Sequence, residues 1–218
     1  MSDVWSWPVA WDAAIKIGKA LPVTLLATVD GFVLAVLLGL LWVVARRLGP
    51  AWLGHGVLAA AEFIRSTPLL VQLFFLYILF PRWPVFWVGV LGLGLHYSTY
   101  LAEVYRAGID SVEAGQWEAA KALNFSPYIT WTRIILPQAL RPILPVLGNY
   151  LITMFKETPL LFAINVMEMM AVAKHFGAKT FRYLEPFTVV AFYFLLLSYP
   201  SSLLVRWAER RTAKAYEQ

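Results

Sequence analysis

The sequence lacks cysteine altogether and contains little charge. Without cysteine among its 218 residues, it can form neither a disulfide framework nor a thiolate metal site. Only 14% of the residues are charged, whereas 60% are hydrophobic, a balance that excludes an ordinary soluble domain and favours a polytopic membrane protein. The formal net charge of +5 does not indicate nucleic-acid binding, because the basic residues are dispersed and cluster mainly beside apolar runs.

Sequence motifs for catalysis and nucleotide binding are also missing. The nearest approach to a phosphate-binding loop, Gly177-Ala178-Lys179-Thr180, has no glycine directly before its lysine. There is no Gly-x-Ser-x-Gly elbow, and the three histidines, His55, His96 and His175, form no His-x-x-x-His pair for a metal. We therefore expect a protein that is not an enzyme and has no cofactor of its own. If ATP drives it, a separate subunit binds the ATP and Mg²⁺.

Long apolar runs predict an all-α integral membrane protein with five spans, since a helix needs ~20 apolar residues to cross a bilayer. A tryptophan-rich segment, 1–20, precedes them and lacks the order of a cleaved signal peptide. It is predicted to lie at the membrane interface, as is a helix from Val166 to Phe176. Gly92 and Gly94 are expected to allow close helix packing. The predicted spans are about 21–45, 57–80, 85–105, 143–164 and 187–205, and the tail is 212–218.

The basic residues predict the orientation of the chain. Five spans place the two ends on opposite sides of the membrane, and the C-terminal run Arg206 to Arg211 is basic. Arg46 and Arg47 likewise end the first span, so these segments are predicted to be cytoplasmic and the N-terminus to lie outside. The bias is moderate, because the last outer loop carries Lys174, Lys179 and Arg182.

Charged residues within the predicted spans are functional hypotheses, because charge is unfavourable in hydrocarbon. Glu62 and Arg65 share a helix face, as do Glu103 and Arg106, while Lys156 and Glu157 are adjacent. One interpretation is a set of structural pairs that neutralise one another. The other is a cavity that offers both signs to a zwitterionic solute. The candidate substrate-path residues are Glu62, Arg65, Thr67, Gln72, Glu103, Lys156, Glu157 and Thr158.

Two places within the spans combine charge, hydroxyl and proline. They are Arg65-Ser66-Thr67-Pro68 and Lys156-Glu157-Thr158-Pro159. Proline removes a backbone donor and disturbs a helix, which a membrane protein tolerates only where protein or water satisfies the freed backbone groups. Both places are therefore predicted to be breaks lined by protein or by a water-filled path.

A polar stretch, 116–145, lies between the third and fourth spans. Glu118 and Lys121 share a helix face, and Ala119 and Ala120 are small enough for another protein to approach the backbone. After this helix, Ser126 is a predicted N-cap with Pro127 at the first position of the next helix. The surrounding loop, 113–136, is predicted to be a contact surface on the cytoplasmic side.

These residues also carry a resemblance to a known family. Glu118-Ala119-Ala120, followed by Ile135-Leu136-Pro137, resembles the EAA motif of permease subunits of bacterial ATP-binding-cassette (ABC) importers. The longer match, 115–141, is similar to the polar amino-acid branch of that family, and 62–72 and 156–160 resemble its second- and fourth-span signatures. Asn124 stands where the family usually has glycine, but asparagine tolerates the left-handed backbone conformation that such a turn needs.

The resemblance implies a type I ABC importer transmembrane domain over 21–211, located in the bacterial cytoplasmic (inner) membrane. It implies a second permease copy or a homologous permease, a cytoplasmic ABC ATPase dimer and an extracytoplasmic solute-binding protein. The helix around Glu118 would be the coupling helix, seated in a groove of the ATPase. The ATPase-coupling residues would be Gly115, Gln116, Glu118, Ala119, Ala120, Lys121 and Asn124.

The substrate class is less closely defined by the sequence. The family branch and the balanced intramembrane charges favour a polar amino acid or a similar zwitterion, and the run Lys156 to Pro186 is most similar to permeases for the compatible solute ectoine. An ion-gradient-driven secondary transporter is the alternative, although five spans without an internal repeat fit it poorly. Association with an ATPase distinguishes the two, and the choice between homodimer and heterodimer stays open.

Overall fold

The computed structural model describes residues 4–214, with side chains described for residues 4–210. The predictions on residues 1–3 and 215–218, at the two ends of the chain, lie outside the described residues. Every regular element in the described part is helical, as the sequence predicts. The helices are α1 Trp7–Gly18, α2 Leu21–Leu48, α3 Ala51–Arg65, α4 Leu69–Leu79, α5 Val85–Asp110, α6 Ala114–Ala122, α7 Pro127–Ile129, α8 Leu136–Glu157, α9 Met169–Thr180 and α10 Leu184–Lys214.

Helix α5 lies at the centre of the fold and packs along α2, α4 and α8. Its glycines allow close approach: a Cβ at Gly92 would lie 2.5 Å from Leu73 Cδ2, and one at Gly94 would lie 2.6 Å from Leu34 Cδ2. The prediction that these two glycines make room for neighbouring helices is confirmed. A separate cluster of buried apolar side chains joins α1, α9 and α10.

The membrane-spanning elements fall into two kinds. Within residues 4–214, three continuous helical stretches are long and apolar enough to cross a membrane: Trp7–Leu48, Val85–Asp110 and Leu184–Arg210. Two further pairs are bent: α3 and α4 meet at 106°, and the stretch Pro127–Ile164 meets α9 at 48°. Counting each bent pair as one span gives five. Only 6% of the most apolar window of Leu184–Arg210 is buried, so lipid or a partner must cover α10.

The segment that connects α8 to α9 differs in detail from the prediction. Helix α8 continues as a 3₁₀ helix, Thr158–Ile164, which ends where Asn165 adopts a left-handed conformation with φ 65°. Glu168 then caps α9, so this helix covers Met169–Thr180 rather than the predicted Val166 to Phe176. The start moves because Asn165 and Glu168 together leave no room for helical backbone before Met169.

The segment between α6 and α8 follows the local sequence signals. Asn124 has φ 51°, the left-handed conformation predicted for it. The Ser126 hydroxyl accepts a hydrogen bond from the Ile129 amide, with Pro127 in the first turn of α7. A π-helical segment, Thr130–Ile135, then leads directly into α8. The predicted cap at Ser126 is therefore confirmed.

Candidate functional site

A network of charged side chains joins the ends of α2, α3 and α5. The two pairs predicted from spacing both form: Arg65 Nη2 lies 2.5 Å from Glu62 Oε1, and Arg106 Nε lies 2.8 Å from Glu103 Oε2. The fold also brings the pairs together, since Arg65 Nη1 lies 3.6 Å from Glu103 Oε1. The same guanidinium donates to the Thr99 carbonyl at 3.2 Å, and these contacts hold Arg65 between α3 and α5.

Arg46, Arg47 and Asp110 also belong to this network, and none of them was predicted as a site residue. Arg46 Nη1 lies 3.5 Å from Glu103 Oε1, Arg47 pairs with Asp110, and Arg106 Nη1 lies 3.1 Å from Asp110 Oδ2. The sequence assigns Arg46 and Arg47 only to topology, because the carboxylates that they meet lie far along the chain. The complete network contains four guanidinium groups, of residues 46, 47, 65 and 106, and three carboxylates, of residues 62, 103 and 110.

Thr67 and Gln72 close the break between α3 and α4. The Gln72 side-chain amide nitrogen lies within hydrogen-bonding distance of the Ile64 carbonyl at 2.6 Å, the Thr67 carbonyl at 3.1 Å and the Thr67 hydroxyl at 2.7 Å. Pro68 has extended backbone, with φ −61° and ψ 137°, and caps α4. Gln72 therefore gives the Thr67 carbonyl a hydrogen-bond donor at the bend and adds to the bonds that the Ile64 carbonyl already accepts from Thr67.

An aromatic cluster adjoins this break and was also not predicted. Tyr150 of α8 lies 6.2 Å from Tyr97 and 6.0 Å from Tyr100, measured between ring centroids. His96 Nδ1 lies 3.2 Å from Gln72 Oε1, and Glu157, the last residue of α8, is half-buried near Tyr97. The signal in the sequence is the run 96–100, His-Tyr-Ser-Thr-Tyr, an unusually polar and aromatic stretch inside an apolar span.

A cavity of about 510 Å³ lies between α3, α5 and α8. Arg65, Glu103, Tyr100 and Tyr150 are among the side chains that line it. It therefore presents a cation, a carboxylate and aromatic faces within one space. Two other candidate residues face different surroundings: Lys156 is exposed, and the buried Thr158 hydroxyl donates to the Phe155 carbonyl at 2.7 Å.

A buried carboxylate caps α9 at the other end of the molecule. Glu168 is 0% exposed and accepts hydrogen bonds from the amides of Met170 at 2.8 Å and Ala171 at 2.6 Å. Burial raises the pKa of Glu168 to about 7, although the two amides favour the charged form. Thr24 of α2 accepts from the next amide, Met169, at 3.1 Å, so the start of α9 is fully hydrogen-bonded to side chains.

Helix α6 stands out from the helical bundle but is fixed to it along one face. Trp117 packs edge-on against Trp131 of the π-helical segment, with ring centroids 5.3 Å apart, and Ala120 is only 2% exposed. Gln138 donates to the Gln116 side chain at 3.2 Å. The opposite face is exposed and carries Gly115, Glu118 and Ala119. The other two residues predicted for coupling, Lys121 and Asn124, are also exposed, with Asn124 just beyond the end of α6.

The geometry supports transport better than catalysis. Among the described residues, no three His, Asp or Glu side chains converge as ligands for a metal ion. What the fold does assemble is a two-signed cavity between broken helices and an exposed short helix attached to one of those helices. Both features suit a protein that moves a solute under the control of a partner.

Comparison with known proteins gives the family. Residues 20–214 match the family model described as binding-protein-dependent transport system inner membrane component. The chain is 44% identical over 187 residues to a probable amino-acid ABC transporter permease, y4tG of Sinorhizobium fredii, covering 84% of this chain and 81% of the relative. It is 33% identical over 213 residues to the glutamine transport system permease GlnP of Escherichia coli, covering 95% and 97% of the two chains.

Solved structures agree with the sequence matches. The fold superposes with a TM-score of 0.88 on the crystal structure of an amino acid ABC transporter with histidines, at 31% identity, covering 95% of this chain and 99% of that one. The MetNI methionine ABC transporter, at 20% identity and a TM-score of 0.73 over 95% and 99% of the two chains, shares the fold. The chain therefore belongs to the inner membrane components of binding-protein-dependent transport systems, and it is an amino-acid ABC importer permease, a transport subunit rather than an enzyme.

Proposed function

We propose that this chain forms the translocation path of an ATP-driven importer for a polar amino acid or a similar small zwitterion, and couples that path to a separate ATPase through α6. The attachment of α6 carries the proposal. Its exposed face offers Glu118, Ala119 and Lys121 to a partner, while Trp117 fixes the other face to the segment that begins α8. A displacement of α6 would therefore be passed directly to α8, which lines the cavity.

The proposed topology has five spans, with the N-terminus outside and the C-terminus in the cytoplasm. Residues 21–211 form the transmembrane domain, 1–20 an interfacial segment and 212–218 a cytoplasmic tail, and the coupling loop is 113–136. The arginines at the ends of α2 and α5 support this orientation, because cytoplasmic loops carry an excess of Lys and Arg. The same orientation places α6 in the cytoplasm and α9 on the outer side.

The proposed substrate path is the cavity between α3, α5 and α8. A substrate carboxylate would meet Arg65, whose planar guanidinium suits a carboxylate, and a substrate ammonium would meet Glu103. Tyr100 and Tyr150 would pack against the body of the solute. Relatives named for glutamine and other amino acids support this class, whereas a compatible solute of the ectoine type stays a prediction.

The proposed assembly contains more than this chain. A cytoplasmic ABC ATPase dimer would bind ATP and Mg²⁺, a second permease copy or a homologous permease would complete the path, and an extracytoplasmic solute-binding protein would deliver the solute. The description of the matching family names a binding protein, which supports that partner. The exposed apolar side chains along α10 support a lipid or protein neighbour within the membrane.

Replacing Glu118 tests the coupling proposal. Glu118→Arg reverses one charge on the exposed face of α6 and leaves the half-buried Trp117 in place, so we expect normal membrane insertion but loss of the ATPase from the affinity-purified chain. Asp12→Arg is the matched control, because Asp12 is an exposed carboxylate on α1, outside the coupling loop. Mass spectrometry of the purified material would measure how much ATPase is recovered with each variant. Full ATPase recovery with Glu118→Arg would contradict the coupling role.

The same wild-type complex, reconstituted with ATP and labelled solutes, tests the substrate class. Uptake of a polar amino acid is expected, and uptake confined to solutes that lack either the ammonium or the carboxylate would contradict it.

A further inference from the structure

Two cavities adjoin the end of α2 that carries Arg46 and Arg47. One, of about 280 Å³, lies between α2, α3 and α5, and the other, of about 550 Å³, lies between α2, α5 and α8. Val43 and Arg47 line both cavities, so these two side chains form the wall between them. The proposed substrate path opens elsewhere, between α3, α5 and α8, and shares only Glu103 with the smaller cavity and Ile143 with the larger one.

The smaller cavity is basic. Three of its lining side chains are arginines, Arg46, Arg47 and Arg106, against two carboxylates, Glu103 and Asp110. With the pair of Glu62 and Arg65 included, the network contains four arginines and three carboxylates, so its net charge is +1. Arg46 is the loosest member, because it stays 3.5 Å from Glu103 whereas Arg106 approaches the same carboxylate to 2.8 Å. Its side chain is 39% exposed, so an incoming anion can reach it.

The larger cavity is an apolar groove. Its walls are mainly aliphatic side chains, and several are open to the surroundings, including Leu40, Val44 and Leu140. From Val36 to Leu48 the groove follows α2 for ~18 Å at ~1.5 Å per residue. This length is close to the ~15 Å of one leaflet of a ~30 Å hydrocarbon core. Arg47 stands at the same end of the groove as Leu48, where a lipid headgroup would lie.

We propose that the two cavities together bind one anionic phospholipid, with its phosphate at Arg46 and Arg47 and an acyl chain along the groove. The charge and the apolar length match the two parts of such a molecule. Trp42 and Trp131 line the two cavities, as expected at the level of lipid headgroups. The proposed topology places this end of α2 in the cytoplasmic leaflet, where anionic lipids give a negative surface potential. The inference goes beyond the transport proposal and depends on it only for that orientation.

Lipid binding by the purified full-length chain tests the proposal. Phosphatidylglycerol and phosphatidylcholine with identical acyl chains would be titrated while bound lipid is counted by native mass spectrometry. We expect preferential retention of phosphatidylglycerol and an affinity about fivefold lower in Arg46→Gln, equivalent to about 1 kcal/mol for one arginine near the membrane surface. Arg141→Gln is the matched control, because Arg141 is exposed on α8 and lines neither cavity. Equal retention of both lipids, or an equal loss in the control, would overturn the proposal.

A second variant tests the groove without changing charge. Leu140→Trp would fill the groove and is expected to weaken phosphatidylglycerol binding even if Arg46→Gln fails to fold. Inorganic phosphate, as a headgroup without an acyl chain, should not displace the lipid at equal concentration. Displacement by phosphate would show a simple anion site and overturn the lipid proposal.

The absence of cysteine allows one further check. Leu140→Cys introduces the only thiol in the chain. A photoreactive phosphatidylglycerol, once cross-linked in the groove, should protect this thiol from labelling. Efficient cross-linking of this cysteine between two copies would instead show that a second permease covers the groove. These measurements need neither ATP nor a partner, so their failure would leave the coupling proposal untouched.

Discussion

The two broken spans contain the same Thr-Pro dipeptide but bend differently. At Thr67-Pro68 the helix stops, Pro68 becomes extended, and α3 and α4 meet at 106°. At Thr158-Pro159 the backbone stays helical as a 3₁₀ helix, and the 48° bend follows only after Ile164. Both threonine hydroxyls donate to carbonyls of the preceding turn, so the dipeptide alone does not set the geometry.

The difference lies in the polar groups that each break finds. At the first break, the Gln72 amide reaches back to the carbonyls of Ile64 and Thr67. At the second, the Phe155 carbonyl, which a helical N–H at position 159 would reach, accepts instead from the Thr158 hydroxyl at 2.7 Å. The backbone amides that lack a helical acceptor lie further on, at the start of α9, where the Glu168 carboxylate accepts their hydrogen bonds. A Thr-Pro pair thus marks where a spanning helix can break, and the nearest buried polar partner decides where it does.

The largest effect is expected from removing the cap at the second break. Glu168→Ala leaves the amides of Met170 and Ala171 buried without their acceptor, and each such group costs about 1–3 kcal/mol. We expect the free energy of unfolding in mixed micelles at pH 6 to fall by about 3 kcal/mol. Glu113→Ala is the control, because Glu113 also precedes a helix but its side chain forms no cap hydrogen bond. Equal destabilisation by the two variants would show that the buried cap does not hold α9.

A smaller effect is expected at the first break. Gln72→Leu keeps the approximate volume of the side chain but removes its hydrogen bonds to Ile64 and Thr67, so we expect a loss of about 2 kcal/mol. Gln138→Leu should cost less, because Gln138 donates at a more exposed surface. Urea unfolding of both variants measures the difference. If Gln138→Leu were the more damaging, Gln72 would not be what closes the bend.

Local sequence signals predicted the first break and the contacts within a single helix. They placed the second break at Thr158-Pro159, where the backbone stays helical and only changes from α to 3₁₀. The pairs of Glu62 with Arg65 and of Glu103 with Arg106 follow from residues three apart on one helix face, and the turn at Asn124 follows from its tolerance of left-handed backbone. The resemblance to ABC importer permeases added the family and the prediction that the helix around Glu118, α6, is the coupling helix. These features depend on neighbours along the chain or on a motif that is itself local.

Contacts between distant segments could not be predicted. Arg46 meets Glu103, and Tyr150 meets Tyr97, only because α2, α5 and α8 pack side by side. Glu168 lies among apolar residues in the sequence, and the sequence does not show that its carboxyl group is fully buried as a helix cap. Packing determines which polar residue hydrogen-bonds to the backbone at a break. The angle of each bend therefore could not be predicted from the sequence either.

The two breaks should differ in their response to pH, because a neutral amide closes one and a carboxyl group caps the other. The pKa of Glu168 is raised by burial from 4.5 to about 7, so the folded protein holds this proton more tightly than the unfolded chain. Its contribution to stability is full below pH 4.5 and is lost as the pH rises through about 7. Between pH 5 and pH 6.5 we expect a decrease of about 1.5 kcal/mol.

Glu168→Gln isolates this pH response, since its amide is neutral at every pH and keeps one oxygen to accept an amide hydrogen. The difference in unfolding free energy between wild type and Glu168→Gln should change with pH as described, whereas the difference between wild type and Pro68→Ala, a change at the first break that removes no hydrogen-bonding side chain, should stay constant. A constant difference for Glu168→Gln would mean that its carboxyl group titrates normally in the folded protein.

The smallest change in stability, but the clearest separation of the two breaks, is expected from the prolines themselves. Pro68→Ala and Pro159→Ala should each cost less than about 1 kcal/mol, mainly through the greater freedom of the unfolded chain. Their geometric effects should differ. Pro68→Ala restores a backbone donor and frees Thr67 for helical backbone, so α3 and α4 should open toward a straight helix. Pro159→Ala should leave the second bend unchanged, because that bend lies beyond Ile164.

Spin labels would measure these angles in a chain that has no cysteine of its own. Ala59→Cys with Ile78→Cys spans the first bend at two exposed positions, and Leu144→Cys with Lys179→Cys spans the second. The first distance should lengthen by several ångströms in Pro68→Ala, and the second should stay the same in Pro159→Ala. If the first distance also stayed constant, Gln72 alone would be enough to hold the bend, and the proline would follow the break rather than cause it.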